Sequence, residues 1–199
     1  MRVPLTDGGP VGIWVSMGNS ITVVDYDPAW ATQFATLRST ILSAVGNVAV
    51  AIEHVGSTAV PGLAAKPIID IDIVVGSAGD VSIAIERLAA IGYSHVGNLG
   101  VDGREAFNSP PEPPQRHLYV CVQDGTALQN HLMLRDFLRK NPDFAAEYGR
   151  LKKQLAARFP TEIDKYIAGK TDFILEVLRE SGLSDRQLTE VGAVNRVKA

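Results

Sequence analysis

Two aspartates, Asp70 and Asp72, lie one residue apart in the otherwise apolar segment IIDIDIVV of residues 68–75. A short β-branched run of this kind predicts a buried strand. Because alternate side chains of a strand share a face, both carboxylates point the same way, about 7 Å apart. Two carboxylates held together repel each other unless a cation lies between them, and their oxygens suit Mg²⁺ or Mn²⁺. The pair therefore predicts a divalent-metal site.

The alternative interpretation of the acidic pair is the solvated face of an edge strand, which needs no ligand. Isoleucine or valine at every other position of residues 68–75, with a predicted helix on each side, favours a central strand instead. A central strand has no reason to carry two carboxylates for solubility, so the metal interpretation is preferred.

Gly56 and Ser57 precede the acidic strand in the loop GSTAVPGLAAKP of residues 56–67. Glycine lets the backbone approach a phosphate closely, and a serine hydroxyl with successive backbone N–H groups can hold a terminal phosphate. A lone Gly-Ser pair is typical of a turn, so its meaning here depends on its spacing to the aspartates. Lys66, at the end of the loop, can reach a phosphate or Asp70, or lie on the surface.

Three cations in the second half of the chain, Arg135, Lys152 and Lys170, fall on the inward-leaning faces of predicted helices. Lys170 lies in the centre of an apolar stripe rather than on a solvated face, Lys152 flanks another stripe, and His131 and Arg135 are spaced i, i+4 between two leucines. With the acidic pair, they fit a cleft for a metal-bound polyphosphate. The alternative is that these cations form internal salt bridges, which carries equal weight for Arg135.

The elements that position these residues indicate an α+β fold, a small sheet flanked by helices and followed by a C-terminal helical segment. An acidic cap followed by proline, Asp27-Pro28, begins the first helix. Strands are predicted at 48–55, 68–75 and 117–123, with weaker candidates at 93–97 and 104–107; further helices are predicted at 80–91, 127–140, 142–158 and 161–180. Residues 1–20 are predicted to be a flexible arm, and residues 183–199 a polar tail.

The composition describes one folded domain of 199 residues, 46% hydrophobic and 21% charged. A chain this apolar can bury a core, which excludes disorder as its main state. Its net charge of −3 makes nucleic-acid binding unlikely to be its role, because few cations are spare for a phosphate backbone. No run approaches the ~18 apolar residues of a membrane span, and residues 1–20 do not read as a secretory signal. We therefore expect a cytoplasmic protein whose single Cys121 forms no internal disulfide.

The run EHVGSTAVPGLAAKPIIDIDIVV of residues 53–75 resembles the GrpB family, in the superfamily of DNA polymerase beta-like nucleotidyltransferases. Residues 23–34, 117–120, 128–156 and 166–174 match the family as well, so the resemblance covers about residues 21–180. It implies a nucleotidyltransferase-like domain over 21–182, with a small mixed sheet in an α/β core to about residue 124 and a helical part over 125–182. The family also occurs fused behind some dephospho-coenzyme A kinases.

The resemblance implies that Gly56 and Ser57 take the outer phosphates of a nucleotide and that Asp70 and Asp72 bind Mg²⁺ or Mn²⁺. Active superfamily members add a third carboxylate from a neighbouring strand. The corresponding segment here, HLYVCVQ of residues 117–123, has no acid, and Tyr119 stands where the family more usually has a second histidine. His117 is the candidate for the missing acid's place.

Two functions follow from the resemblance and the residues together. The first is metal-dependent transfer of a nucleotidyl group from a nucleoside triphosphate to an acceptor, with Asp70, Asp72 and His117 as catalytic residues. The phosphates would be bound by Gly56, Ser57, Lys66, His131, Arg135, Lys152 and Lys170. The alternative, favoured by the absent third carboxylate, is a binding module that holds a nucleotide, a coenzyme A-like compound or another phosphorylated small molecule without chemistry.

Overall fold

Five strands form one mixed sheet in the order β1-β2-β5-β4-β3 in a computed structural model, which describes residues 20–196. The strands are β1 (Ala49–Val55), β2 (Ile69–Val75), β3 (Ser94–Gly97), β4 (Arg104–Asn108) and β5 (Arg116–Val122). The helices of this part of the chain are α1 (Ala29–Val45), α2 (Ala78–Ala89), α3 (Thr126–Lys140), α4 (Pro142–Arg158), α5 (Ile163–Glu180) and α6 (Asp185–Arg196). The α+β prediction is confirmed. The arm predicted for residues 1–20 lies, apart from Ser20, outside the described residues.

Strand β2 is central, as its apolar alternation predicts. It pairs antiparallel with β1 on one side and parallel with β5 on the other. The parallel register places Asp70 opposite His117 and Asp72 opposite Tyr119. The two segments that carry the predicted site are therefore hydrogen-bonded neighbours.

The main hydrophobic core lies between the sheet and helices α1 and α2. Ile69, Ile71 and Ile73 of β2 are fully buried against this layer, together with Trp30 and Leu88 from the two helices. Since side chains alternate along a strand, the aspartates project from the opposite face. That face is covered by the helical half, where Leu128 of α3 packs against Val74 and Cys121. The sheet thus separates an apolar layer from a layer that contains the candidate site.

Helix α6 lies where the sequence analysis expects a polar tail. Leu183 and Leu188 are buried against Leu178 of α5, so this end of the chain completes a small apolar cluster. The helix begins with a capping box, since Ser184 N–H and Oγ–H donate to Gln187 Oε1 and Gln187 N–H donates to Ser184 Oγ. The spacing Ser-x-x-Gln is typical of the start of a helix. The segment has few apolar residues, however, and its polar composition favoured the prediction of a tail. Among the described residues, no helix has the length and apolar character needed to span a membrane.

Candidate functional site

Each carboxylate of the acidic pair is held by a histidine. His117 Nδ1 donates to Asp70 Oδ1 at 2.8 Å, and His131 Nδ1, from α3, donates to Asp72 Oδ2 at 2.7 Å. The two aspartates differ in their access to solvent. The Asp72 side chain is 0% exposed, whereas the Asp70 side chain is 29% exposed. Asp70 is therefore the member of the pair that a ligand can reach directly.

The bond between His131 and Asp72 should be structurally important. Replacing His131 with alanine removes the hydrogen bond from a fully buried carboxylate, and we expect a loss of about 2 kcal/mol in the free energy of unfolding, measured by urea denaturation. The matched control is His95→Ala, because His95 also bonds a carboxylate, that of Glu105, but both side chains are partly exposed. We expect that control to cost less than about 1 kcal/mol. Equal losses in the two variants would contradict the structural importance of the buried pair.

A basic pocket opens beside Asp70. It is lined by Ser57, Thr58, Ala65, Lys66, Ile68, Asp70, His117, Lys152, Tyr166 and Lys170, and its volume is about 80 Å³. We refer to these residues as the basic pocket. It joins the loop before β2, the beginnings of β2 and β5, and the helices α4 and α5. Six predicted site residues, Ser57, Lys66, Asp70, His117, Lys152 and Lys170, are thus brought together.

The loop that carries Ser57 is fixed from beneath by Thr58. The Thr58 hydroxyl donates to the carbonyl of Ile68 at 3.2 Å and pairs with His54 Nε2 at 3.0 Å. His54 is itself stacked on Phe34, with ring centroids 4.5 Å apart. These contacts connect the two ends of the loop, so the segment that carries Ser57 is held in place beside the pocket.

Two lysines of the basic pocket lie over tyrosines four residues earlier on the same helix. Lys152 Nζ is 4.6 Å from the ring centroid of Tyr148 on α4, and Lys170 Nζ is 4.6 Å from that of Tyr166 on α5. Lys66 Nζ lies 5.9 Å from the Tyr166 ring as well. An ammonium over an aromatic face is stabilised by the ring quadrupole. Tyr166 was not predicted as a site residue, although the repeated Tyr-x-x-x-Lys spacing could have indicated it.

The three lysines share one carboxylate. Burial lowers the pKa of Lys152 to about 6, and the charge of Lys170 adds to this effect, against the attraction of Asp70. Burial and the charge of Lys66 lower the pKa of Lys170 to about 8. Burial also lowers the pKa of Lys66, again opposed by Asp70. The pocket is therefore short of negative charge, because Asp70 is the only acid that lines it within the described residues.

Asp70 is ionised and pressed against the backbone of Gly56. Burial opposes its ionisation, but the hydrogen bond and charge of His117 and the charge of Lys66 together hold the pKa of Asp70 below its usual value. Gly56 has φ +69°, and a Cβ placed on it would lie 2.1 Å from Asp70 Oδ2. Glycine is therefore required here because the backbone lies so close to the Asp70 carboxylate. Gly56 itself does not line the pocket.

His131 and Arg135, predicted to bind phosphate, lie outside the group of residues that the basic pocket brings together. Arg135 pairs with Glu53 Oε2 at 2.6 Å and with Asp136 Oδ1 at 2.7 Å, so the internal salt bridges are the better explanation of its place on the helix. His131 is committed to Asp72. The sequence pattern cannot separate these cases, because a paired cation and a free one have the same helical spacing.

The residues around the acidic pair do not fit the two-metal centre that the family resemblance implies. One oxygen of each aspartate is taken by a histidine, and no group of three or more His, Cys, Asp or Glu side chains in residues 20–196 is arranged to hold a metal ion. Tyr119 occupies the register position opposite Asp72, and the guanidinium of Arg104 lies 4.4 Å from its ring centroid. The charged lysines beside Asp70 would also repel a divalent cation. Asp72 Oδ1, which is buried without a partner among the described residues, is the one feature in favour of a metal.

Comparisons with known proteins agree on one family. The profile of the GrpB protein family matches residues 20–180. The UPF0157 protein YqkA of Bacillus subtilis is 39% identical over 154 residues, which cover 77% of this chain and 45% of that protein. A dephospho-CoA kinase of Mycolicibacterium paratuberculosis is 27% identical over 81% of this chain and 46% of its own length. The chain thus spans less than half the length of these two relatives.

Two solved structures are similar to this chain in fold. The crystal structure of the conserved protein GrpB from Enterococcus faecalis is 37% identical, with a TM-score of 0.73 over 80% of this chain and 96% of that one. The Cid1 poly(U) polymerase, solved with MgGTP bound, is 15% identical with a TM-score of 0.50 over 68% of this chain and 45% of that one. At this identity, the second likeness shows a similarity of fold alone.

Proposed function

The chain belongs to the GrpB family, and from that premise we propose that it binds a phosphorylated small molecule, such as a nucleotide or a coenzyme A-like compound, by its phosphoryl groups in the basic pocket. The support comes from the residues of this chain. The nucleotidyltransferase-like fold agrees with the proposal, and similarity to a dephospho-CoA kinase makes a coenzyme A-like ligand a sensible probe.

The observation that carries the proposal is the side chain of Lys152. Its Nζ is buried, and no hydrogen-bond partner for it occurs in the part of the chain that the structure describes. A buried amino group without a partner costs free energy whether it is protonated or neutral, so the fold keeps this lysine at the expense of stability. An anionic ligand would supply the missing partner. Lys66 and Lys170 line the same pocket and would reach the same ligand.

The size of the basic pocket suits phosphoryl groups rather than a whole nucleotide. Its volume is about 80 Å³, and a single water needs roughly 10–15 Å³ of such space. One or two phosphoryl groups would therefore fill it, and the remainder of the ligand would extend outside. Ser57 would donate its hydroxyl to a phosphoryl oxygen, and the lysines would neutralise the charge. Asp70 would orient Lys66 and His117 and repel a misplaced anion.

Transfer of a nucleotidyl group is the second candidate function. The similarity of fold to Cid1 and the unpartnered Asp72 Oδ1 support it. The side chains around Asp70 and Asp72 weigh against it, because a histidine already bonds one oxygen of each aspartate and lysines lie beside Asp70. The two candidates make different demands on divalent metal, and one experiment separates them.

The test is thermal unfolding of the full chain with pyrophosphate, a nucleoside triphosphate or coenzyme A, each in EDTA and in Mg²⁺ or Mn²⁺. We expect stabilisation in EDTA, by roughly 2.7 kcal/mol when the ligand is at 100 times its Kd. Adenosine and pantetheine, which lack the phosphoryl groups, should give no shift. Stabilisation only with metal, together with pyrophosphate release, would favour nucleotidyl transfer. No shift with any phosphorylated compound at about 10 mM would contradict both functions.

Anion binding should weaken as the pH rises. Lys152 and Lys170 lose their protons with pKa values of about 6 and about 8, and an anion binds best when both are charged. We therefore expect affinity for sulfate, which stays a dianion throughout, to fall as the pH passes each value. Near neutral pH, binding should take up protons, which calorimetry in two buffers of different ionisation enthalpy measures. Affinity independent of pH would contradict the role of these lysines.

A further inference from the structure

A second cavity, of about 330 Å³, lies between α3, α5, α6 and the segment leading into β4. We call it the second cavity; its lining includes Asp102, Arg104, Asn130, Leu134, Ile174 and Leu178. None of these residues lines the basic pocket. Its volume lies in the range of roughly 300–1,000 Å³ that is usual for small-molecule sites.

Two polar side chains of the second cavity have buried atoms that no described residue satisfies, Arg104 Nε and Asn130 Oδ1. The central carbon of the Arg104 guanidinium lies 4.4 Å from the centroid of the Tyr119 ring, a contact that restrains the group. A guanidinium is a good partner for a carboxylate. Asn130 Oδ1 needs a hydrogen-bond donor. The cavity is therefore lined by one donor side chain and one acceptor side chain that each keep a buried atom without a partner in residues 20–196.

The rest of the lining contains both acidic and apolar side chains. Asp102 and Glu190 add negative charge to the cavity, which favours a cationic group on a ligand. Leu134, Ile174 and Leu178, from α3 and α5, supply the apolar wall. A ligand that satisfies every part of this lining has a carboxylate, a protonated amine and an apolar body.

We propose that the second cavity binds an apolar amino acid or short peptide as a zwitterion, with its carboxylate on Arg104, its ammonium on Asn130 and Asp102, and its side chain on the apolar wall. The volume accommodates roughly twenty water-sized groups or more, which is enough for a dipeptide. The proposal does not rest on the function proposed for the basic pocket. His131 lines this cavity and bonds Asp72, two residues from Asp70, so a bound zwitterion would lie near the acidic pair.

The test is calorimetric titration of the full chain with apolar amino acids and dipeptides, led by L-leucine and L-leucyl-L-leucine. We expect at least one zwitterion to bind. Its N-acetyl form, which lacks the ammonium, and its C-terminal amide, which lacks the carboxylate, should each bind at least about tenfold more weakly. No binding by any member at about 10 mM, or equal binding of the blocked forms, would overturn the proposal.

Three variants place the ligand within the chain. Arg104→Gln should lower the affinity for the zwitterion to that for its C-terminal amide and leave the affinity for the amide unchanged. Arg104→Lys should restore part of the lost affinity for the zwitterion. The thermal unfolding of each variant without ligand shows whether it is folded. Lys152→Met, in the basic pocket, should bind the zwitterion as the unaltered chain does. Loss of binding in Lys152→Met, or none in Arg104→Gln, would place the ligand elsewhere and overturn the proposal.

Discussion

Replacing Lys152 with methionine is expected to weaken binding of pyrophosphate and sulfate at least about a hundredfold while making the protein more stable. The side chain is 2% exposed and its amino group has no partner among the described residues, so methionine of similar length removes a desolvation cost. We expect the free energy of unfolding to rise by about 1–3 kcal/mol. Urea denaturation and titration calorimetry on the same preparation measure both effects.

The control for this variant is Lys153→Met, one residue along the same helix. Lys153 is half-exposed and pairs with Asp25 at 2.6 Å on the surface, so its loss should change stability by less than about 1 kcal/mol and leave anion binding unaltered. If Lys152→Met were destabilised and still bound the anion, Lys152 would be a structural residue. The opposite signs of the two effects are the signature of a ligand site.

The same variant should remove a pH dependence of stability. Lys152 titrates near 10.5 when unfolded and near 6 when folded, because burial lowers its pKa. Between these values the unfolded chain binds more protons, so this lysine makes the free energy of unfolding rise with pH up to about 10.5. Lys152 therefore lowers the free energy of unfolding, and this destabilisation grows as the pH falls to about 6. Lys152→Met should show a flatter profile than the Lys153→Met control.

The fold was largely predictable because its apolar periodicity is regular. The strands at 49–55 and 69–75 and the helices from Thr126 to Glu180 agree with the predicted elements within a few residues. Helix α6 was not predicted, because its stability depends on packing Leu183 and Leu188 on α5 rather than on a strong pattern of its own. The sequence of this segment alone does not show that a packing surface on α5 is available to it.

The site was predictable in its members but not in their partners. The positions of Asp70, Ser57 and Lys170 in the pattern already suggested a common cleft, and the structure brings them together. Whether a helical cation meets a carboxylate depends on residues far away in sequence, as the pairing of Arg135 with Glu53 illustrates. That Lys152 Nζ has no partner among residues 20–196 could be found only in three dimensions, and it favours an anion over a metal as the ligand.

Replacing Gly56 with alanine is expected to damage the basic pocket more than any change of a lining residue. The new methyl group would lie 2.1 Å from Asp70 Oδ2, at a backbone φ of +69° that alanine rarely adopts. Asp70 must then move and give up its bond to His117. Backbone strain of about 1–3 kcal/mol, in a region that is essentially restricted to glycine (φ +69°, ψ −170°), and overpacking of about 1–3 kcal/mol together suggest a loss of about 2–6 kcal/mol in the free energy of unfolding. Urea denaturation measures the loss, and calorimetry should detect no anion binding.

The matched control separates strain from collision. Gly62 has φ +79° in the same loop, and a Cβ there would meet nothing within 4 Å. Gly62→Ala therefore introduces a positive-φ strain without the collision, and we expect a loss of about 1–2 kcal/mol with anion binding retained. Equal losses in the two variants would mean that the conformation of the loop, rather than the approach of Gly56 to Asp70, requires glycine. A larger loss at Gly56 together with loss of anion binding would show that the carboxylate must keep its present position for the three lysines to form one pocket.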